Sequence, residues 1–359
     1  MKNLKYSIGT DVSMKDFACC LSVINDQQEV KVKASHKFSN SLAGFKSLIE
    51  WIRRHCKEQL PLVFVMEATG VYHEQLAWFL QGKSHQVSIM LPNKAKKYLQ
   101  AGGAKSKNDQ IDARGLAQIG AEKKLDLWVP PSENLYLLRS YTRQHQSLNE
   151  LHTGISNQLH SIEHSHFQPK DIIKQLRSTL KMCEKQLKEI EQSMSKLIKT
   201  DVVLHQHHQN ACAIKGISTL SFAVIAAETN GSALFDNAAS LVSYAGYDVV
   251  ENQSGKHTGR TKISKKGNSR IRRILHMPAL CAVRDDQPQF KKLFERVYER
   301  TRIKMKGYVA VQKKLLVMMY YLWKKNERYN PLFGKIIAPD KAEATRDELS
   351  KEILIKQQN

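Results

Sequence analysis

The chain has 359 residues, enough for two or three domains with sizeable cores. Its 56 Lys and Arg against 34 Asp and Glu leave a net charge of +22, which suits a polyanion, nucleic acid first, and its 42% apolar content excludes a disordered chain. No signal-peptide pattern opens it, and no apolar run is long enough to span a bilayer. Six cysteines without a Cys-x-x-Cys pair read as reduced thiols of a cytosolic protein.

Alternating apolar residues predict three opening strands, over 6–10, 17–24 and 30–38, joined by turns at 13–16 and 25–26. A helix over 39–57 follows, with Leu42, Phe45, Leu48, Ile49 and Ile52 on one face. Then come a buried strand at 62–66, a helix at 73–81, a strand at 86–91, and a helix that carries Asp109 and Asp112 under a cap from Asn108 or Ser106. Three strands, helix, strand, helix, strand, helix is the order of the ribonuclease H-like fold.

Carboxylates occupy the ligand places of that fold. Asp11 ends the first apolar run, Glu67 ends the run at 62–66, and Asp109 and Asp112, three apart, share a helix face. Carboxylates gathered so closely repel one another unless cations offset the charge. Paired hard cations on oxygen ligands are the usual apparatus for cutting phosphodiesters. Each of the four alone reads as a turn or cap residue; their order and strand contexts together favour a metal site.

Beyond Pro130-Pro131 the pattern changes. Leu138, Tyr141, His145, Leu148, His152, Ile155, Leu159 and Ile162 alternate steps of three and four, and Ile173 to Leu197 resume the alternation after a break at Pro169. This predicts an antiparallel helical hairpin, or an arm that pairs between subunits, with His145 and His152 available to set register. Histidines cluster at 160, 164 and 166 and again at 205, 207 and 208, but no cysteine or carboxylate set completes a zinc site there.

Ile214-Lys215-Gly216-Ile217-Ser218 precedes an Ala-rich helix over 219–228, and reads either as half of a helix-hairpin-helix or as a plain helix-helix turn. A short helix ending at Gly246 follows. From Lys256 to Arg273 there are eight Lys or Arg and no carboxylate, first in a loop and then in a helix over 269–281. Ser254 opens this segment. Beside a cationic, glycine-containing loop its hydroxyl is placed to attack a phosphate; taken alone it is a turn residue.

These residues together resemble the DEDD transposases of bacterial insertion sequences, the group that includes the Piv-type site-specific DNA invertases. The resemblance spans most of residues 4–330. It rests on Gly9-Thr10-Asp11, on Glu67-Ala68-Thr69-Gly70-Val71-Tyr72 and on Lys107-Asn108-Asp109-Gln110-Ile111-Asp112-Ala113. In the second half it rests on Ser254-Gly255, Ile263-Ser264-Lys265-Lys266-Gly267-Asn268 and Arg270-Ile271-Arg272-Arg273-Ile274-Leu275.

The resemblance implies an α/β ribonuclease H-like (RuvC-like) N-terminal domain over 1–130 and an antiparallel coiled-coil arm over 131–206. A mainly α C-terminal transposase domain over 207–335 and a charged tail over 336–359 complete the expected organisation. By the same resemblance Asp11, Glu67, Asp109 and Asp112 hold Mg²⁺ and Ser254 is the nucleophile. Lys256, Arg260, Lys262, Lys265, Lys266, Asn268, Arg270, Arg272 and Arg273 are the expected nucleic-acid contacts. Target and donor DNA and a structured non-coding guide RNA are the implied partners of a cytoplasmic homo-oligomer, a dimer or tetramer. Lys215 and Ser218 depart from the family, which often has proline and glycine there, and Gly246-Tyr247-Asp248 stands where Gly-Leu-x-Pro is common. The alternative is a metal-dependent nuclease or junction resolvase with water as nucleophile. A non-enzymatic architectural protein is the more distant one, and the intact order of carboxylates argues against it.

Overall fold

A computed structural model describes residues 1–68, 70–101, 108–251, 253–254, 257–259, 262–284 and 287–330. The chain divides into two compact units, Met1–Pro130 and Pro131–Asn359.

The first unit opens with a meander, β1 (Asn3–Val12), β2 (Asp16–Asn25) and β3 (Val30–Ser39), followed by α1 (Leu42–His55), β4 (Leu62–Glu67), α2 (Glu74–Gly82) and β5 (Gln86–Met90). Two helices close it, α3 (Pro92–Ala101) and α4 (Asp109–Glu122). The strand order is β3-β2-β1-β4-β5, with β2 antiparallel to both neighbours and β1, β4 and β5 parallel. That order and sense are those of the ribonuclease H-like sheet. The sequence pattern missed α3, because only Ala95 of that helix is buried and no apolar stripe marks it.

Side chains alternate across the sheet. Tyr6, Ile8 and Val12 of β1 and Phe64 and Met66 of β4 join Leu48 of α1 and Leu76 of α2 in one core. The opposite face carries Ser7, Gly9 and Asp11 and, on β4, Val63, Val65 and Glu67. It is covered by Leu116 and Ile119 of α4, with Ala113 and Ala117 against Ala18 and Cys20 of β2. The approach is close because two glycines permit it. A Cβ on Gly9 would overlap the Ala113 carbonyl oxygen and the Ala117 nitrogen, and one on Gly120 would overlap Ser7 Oγ.

The second unit is mostly helical. It begins with α5 (Glu133–Glu163) and α6 (Lys170–Thr200), an antiparallel pair whose apolar seam includes Leu138, Leu148, Ile155, Cys183 and Met194. The two seam histidines each face a carboxylate across the pair, His145 Nε2 at 3.1 Å from Glu191 and His152 Nε2 at 3.5 Å from Glu184. Next are α7 (Val202–Cys212), α8 (Thr219–Glu228) and α9 (Ala238–Tyr244). Residues Ser221–Glu228 of α8 are all buried, so this helix is the axis of the core. Two of the three histidines of α7 are packing groups: His207 stacks on Trp323 and His208 Nε2 lies 3.0 Å from Thr219 Oγ1.

Where the sequence suggested a loop, the chain forms a nested hairpin. β6 (Val249–Val250) pairs with β9 (Lys262–Ile263), and inside it β7 (Gln253–Ser254) pairs with β8 (His257–Thr258). The single helix expected over 269–281 is two, α10 (Ser269–Ile274) and α11 (His276–Arg284). Pro278 explains the break: its ring crowds the carbonyl four residues back, at Ile274, where α10 stops. Two further helices, α12 (Pro288–Thr301) and α13 (Lys304–Lys325), complete the unit, α13 packing through Val311, Leu315, Leu316 and Met319. No described helix is long and apolar enough to cross a membrane.

Candidate active site

The four carboxylates share one rim of the N-terminal sheet. β1 and β4 run parallel in a register whose last pair is Thr10 and Met66. Asp11 and Glu67 are the next residues on each strand, so they stand side by side at the strand ends, on the face that α4 covers. α4 runs back along β1, with Gly120 over Ser7 and Ala113 over Gly9. Asp109 lies about 6 Å along the helix axis before Ala113, and Asp11 about 6.6 Å along the strand beyond Gly9, so helix start and strand end reach one level.

Asn108 fixes that helix start, its Oδ1 accepting from Ile111 N at 2.8 Å. Ser106, the other capping candidate, lies outside the described residues. Asp109 is exposed and Asp112 half-buried in the first turn of α4, where the helix dipole favours negative charge. An open groove of about 620 Å³ runs beside Asp109, walled by Ser35, His36 and Lys37 of β3. Lys37 Nζ lies 3.1 Å from Asp16 Oδ2 and 4.0 Å from Asp109 Oδ2. Its hydrogen bond, with that of Ser13, holds the Asp16 carboxyl below the usual carboxylate range. No sequence motif marks Lys37.

Among the described residues no three His, Cys, Asp or Glu side chains stand close enough together to hold a metal ion. The donor chemistry is still that of a hard divalent cation site: carboxylate oxygens only, Asp11 and Glu67 from two neighbouring strand ends and Asp109 and Asp112 from the first turn of a capped helix. A cation bound there would offset the repulsion among them.

Ser254 lies in the other unit. The inner ladder sets it opposite His257. His257 is a neighbour the sequence reading passed over; Lys256 and Arg260 lie outside the described residues. The base of the hairpin is zipped to the end of α9. Lys265 N donates to Gly246 O at 3.2 Å, Asn268 N to Tyr244 O at 2.7 Å, and Ser264 Oγ to Asp248 Oδ1 at 2.7 Å. Gly267 is required there, since a Cβ would overlap the Tyr244 carbonyl oxygen.

The cations of this segment divide into two kinds. Lys262, Lys265 and Lys266 are exposed on the hairpin and its base. The described arginines, with Asn268, also hold the fold. Asn268 caps α10, accepting from Arg270 N at 3.0 Å, and donates to Glu228 Oε2 at 2.7 Å. Arg272 Nη1 donates to Ala245 O at 2.8 Å, and Arg273 Nη1 to Glu150 Oε1 at 2.6 Å.

Glu228 is the node of this scaffold. It is 3% exposed at the C-terminal end of α8, where the helix dipole opposes a negative charge. Arg143 of α5 meets it with two hydrogen bonds, Nε at 3.0 Å and Nη2 at 3.3 Å, and Arg270 Nε lies 3.9 Å away. Burial pushes its carboxyl up, but Arg143, Asn268 and Arg270 outweigh burial and hold it below the usual range. Its signal in the sequence is a lone carboxylate ending an otherwise apolar helix.

Two family models match this chain. A model of DEDD transposases of the IS110 group covers residues 8–167, and a model of the IS116/IS110/IS902 transposase family covers 208–295. The first span includes all four carboxylates and the second includes Ser254. The chain is also similar to the pilin gene-inverting proteins of Moraxella bovis and Moraxella lacunata. Each is 26% identical over 329 residues, covering 91% of this chain and 98% of the relative. Among solved structures, Thermus thermophilus RuvC in complex with a Holliday junction substrate covers 34% of this chain and 99% of its own, at 9% identity and a TM-score of 0.27. The fold assignment rests instead on strand order and register. With both halves matched in order, the chain belongs to the IS110-type family of DEDD transposases and is a DNA recombinase.

Proposed function

We propose that this transposase cuts and rejoins DNA through a covalent link to Ser254, with Mg²⁺ held by Asp11, Glu67, Asp109 and Asp112. The observation that supports this reading is that Asp11 and Glu67 follow the last register pair of β1 and β4, at the end of the sheet where α4 begins with Asp109 and Asp112. The cation would supply charge stabilisation for the phosphate oxygens. Ser254 Oγ attacks a phosphodiester phosphorus, its proton leaves with solvent or a nearby base, and a 3′-hydroxyl departs. The new phosphoserine ester keeps the energy of the broken bond, so a 3′-hydroxyl from another strand can reverse the step without ATP. Lys262, Lys265 and Lys266 offset phosphate charge beside the hairpin, as do Lys256 and Arg260 by their place in the sequence.

The net charge of +22 suits polyanions, and a structured non-coding guide RNA is proposed as a partner beside the DNA. The working form is proposed to be a cytoplasmic homo-oligomer, a dimer or tetramer, associated with the nucleoid when bound to target and donor DNA. The test is a search for a denaturation-resistant protein–DNA adduct with purified protein, co-purified RNA, labelled DNA and Mg²⁺. An adduct in the wild type that disappears in Ser254→Ala and in Asp112→Asn supports the reading. Cleavage without an adduct, surviving Ser254→Ala, would show water to be the nucleophile.

A further inference from the structure

A cavity of about 180 Å³ opens between α5, α8 and α10, and no step above uses it. It is below the size of a drug-like site and takes something the size of one flat ring. Its walls differ in chemistry. Leu220 and Val224 of α8 and Ile274 of α10 form an apolar side. Gln146 and Asn149 of α5 form a polar side, resting on the buried His145. Both amides spend an N–H on their own helix, Gln146 Nε2 to Glu150 Oε1 at 2.9 Å and Asn149 Nδ2 to His145 O at 3.0 Å. Each keeps a carbonyl oxygen that can accept from a ligand.

Arg270 and Arg273 complete the lining. Arg273 is 60% exposed and paired with Glu150. Arg270 Nε is buried, yet it makes no hydrogen bond to any described residue, its nearest carboxylate oxygen lying 3.9 Å away on Glu228. A buried guanidinium N–H without an acceptor is a costly arrangement that a ligand oxygen would relieve.

We propose that this cavity holds one unpaired nucleotide. A base turned out of its stack has apolar faces for Leu220, Val224 and Ile274. Its edge N–H groups suit the two amide oxygens, and its own phosphate suits Arg270 and Arg273. A bare phosphate would leave the apolar wall and the amides unused, and a paired duplex does not fit the space. The inference rests on the reading of the chain as a DNA recombinase and extends it: the enzyme holds a strand with one nucleotide splayed out. The same chemistry is offered by DNA and by RNA.

The test compares three labelled probes by fluorescence anisotropy with the full chain. They are a fully paired DNA duplex, the same duplex with one unpaired nucleotide in one strand, and the RNA duplex with the same bulge. The wild type should bind a bulged probe about tenfold more tightly than the paired duplex, and the tighter of the two bulged probes identifies the source. Val224→Phe, which fills the cavity, should bring that ratio to about one. Asn149→Leu, at an exposed position of α5, gives the same readout if Val224→Phe fails to fold. A ratio of one in the wild type, or an unchanged ratio in Asn149→Leu, overturns the proposal while duplex binding leaves the recombinase reading intact. Failure to bind any probe would overturn both.

Discussion

Gly9 and Ala113 meet backbone to backbone, the Ala113 carbonyl oxygen occupying the space that a Gly9 side chain would need. That meeting sets the height of α4 over β1, and through it the distance of Asp109 and Asp112 from Asp11. Backbone cannot step aside as a side chain can, so Gly9→Ala should cost at the upper end of the usual 1–3 kcal/mol for overpacking, roughly 3 kcal/mol. It should also weaken metal binding, because the helix carrying two carboxylates has moved. Urea denaturation measures the first effect and calorimetric Mg²⁺ titration the second. Full metal affinity in a destabilised Gly9→Ala would show that α4 height does not tune the site.

The carboxylate rim makes a prediction of its own. In the absence of metal the four acidic groups repel, so a bound divalent cation should raise the melting temperature. At a hundred times its dissociation constant the gain is about 2.7 kcal/mol, or several degrees for a domain of this size. Asp112→Asn should lose most of that rise, together with a hundredfold or more of strand cleavage, since charge stabilisation by a metal is worth several kcal/mol. Differential scanning calorimetry with and without Mg²⁺ reads the first effect separately from catalysis. An equal rise in wild type and Asp112→Asn would remove Asp112 from the ligand set.

Glu228 ties α5 to the base of the serine hairpin, and its charge should matter to stability. Arg143→Ala leaves a buried carboxylate with only Asn268 and the more distant Arg270, so a loss of about 3 kcal/mol is expected. The pH dependence has a definite sign. The folded carboxyl titrates below the usual 4.5, so its contribution is complete above that value and is lost as the pH falls toward the folded pKa. Wild type should therefore lose stability below about pH 4.5 more steeply than Glu228→Gln. Parallel acid profiles for the two would refute the buried ion pair as a source of stability.

Much of the N-terminal fold was legible because strand alternation and one long amphipathic helix carry it. Glu67 and Asp11 could be placed at strand ends from the apolar runs before them. Their common level could not, since it depends on the Thr10–Met66 register and on a helix that approaches through Gly9 and Gly120. Neither glycine has a periodic signature. α3 was invisible because its exposed lysines show no stripe. The hairpin around Ser254 reads as a loop in sequence because its strands are two residues long and Gly255 and Gly259 lie between them. α13, in contrast, carries steps of three and four at Val311, Leu315, Leu316 and Met319, a signal that was present and unused.

Lys265 supplies the most discriminating test of the basic segment. Its φ is +53°, a left-handed conformation that costs a residue with a side chain roughly 1–2 kcal/mol, and glycine much less. The backbone is held there by the bond from Lys265 N to Gly246 O, so any residue at this position must adopt it. Its side chain is exposed on the basic segment, where the ammonium is open to a phosphate. Lys265→Gly should then be neutral to about 1 kcal/mol stabilising, once the freer unfolded chain is counted. It should weaken DNA binding equally across sequences and reduce the slope of log affinity against log salt by about 0.9. A stabilised variant whose salt slope matches wild type would mean that Lys265 makes no phosphate contact and that the other cations of the segment carry it.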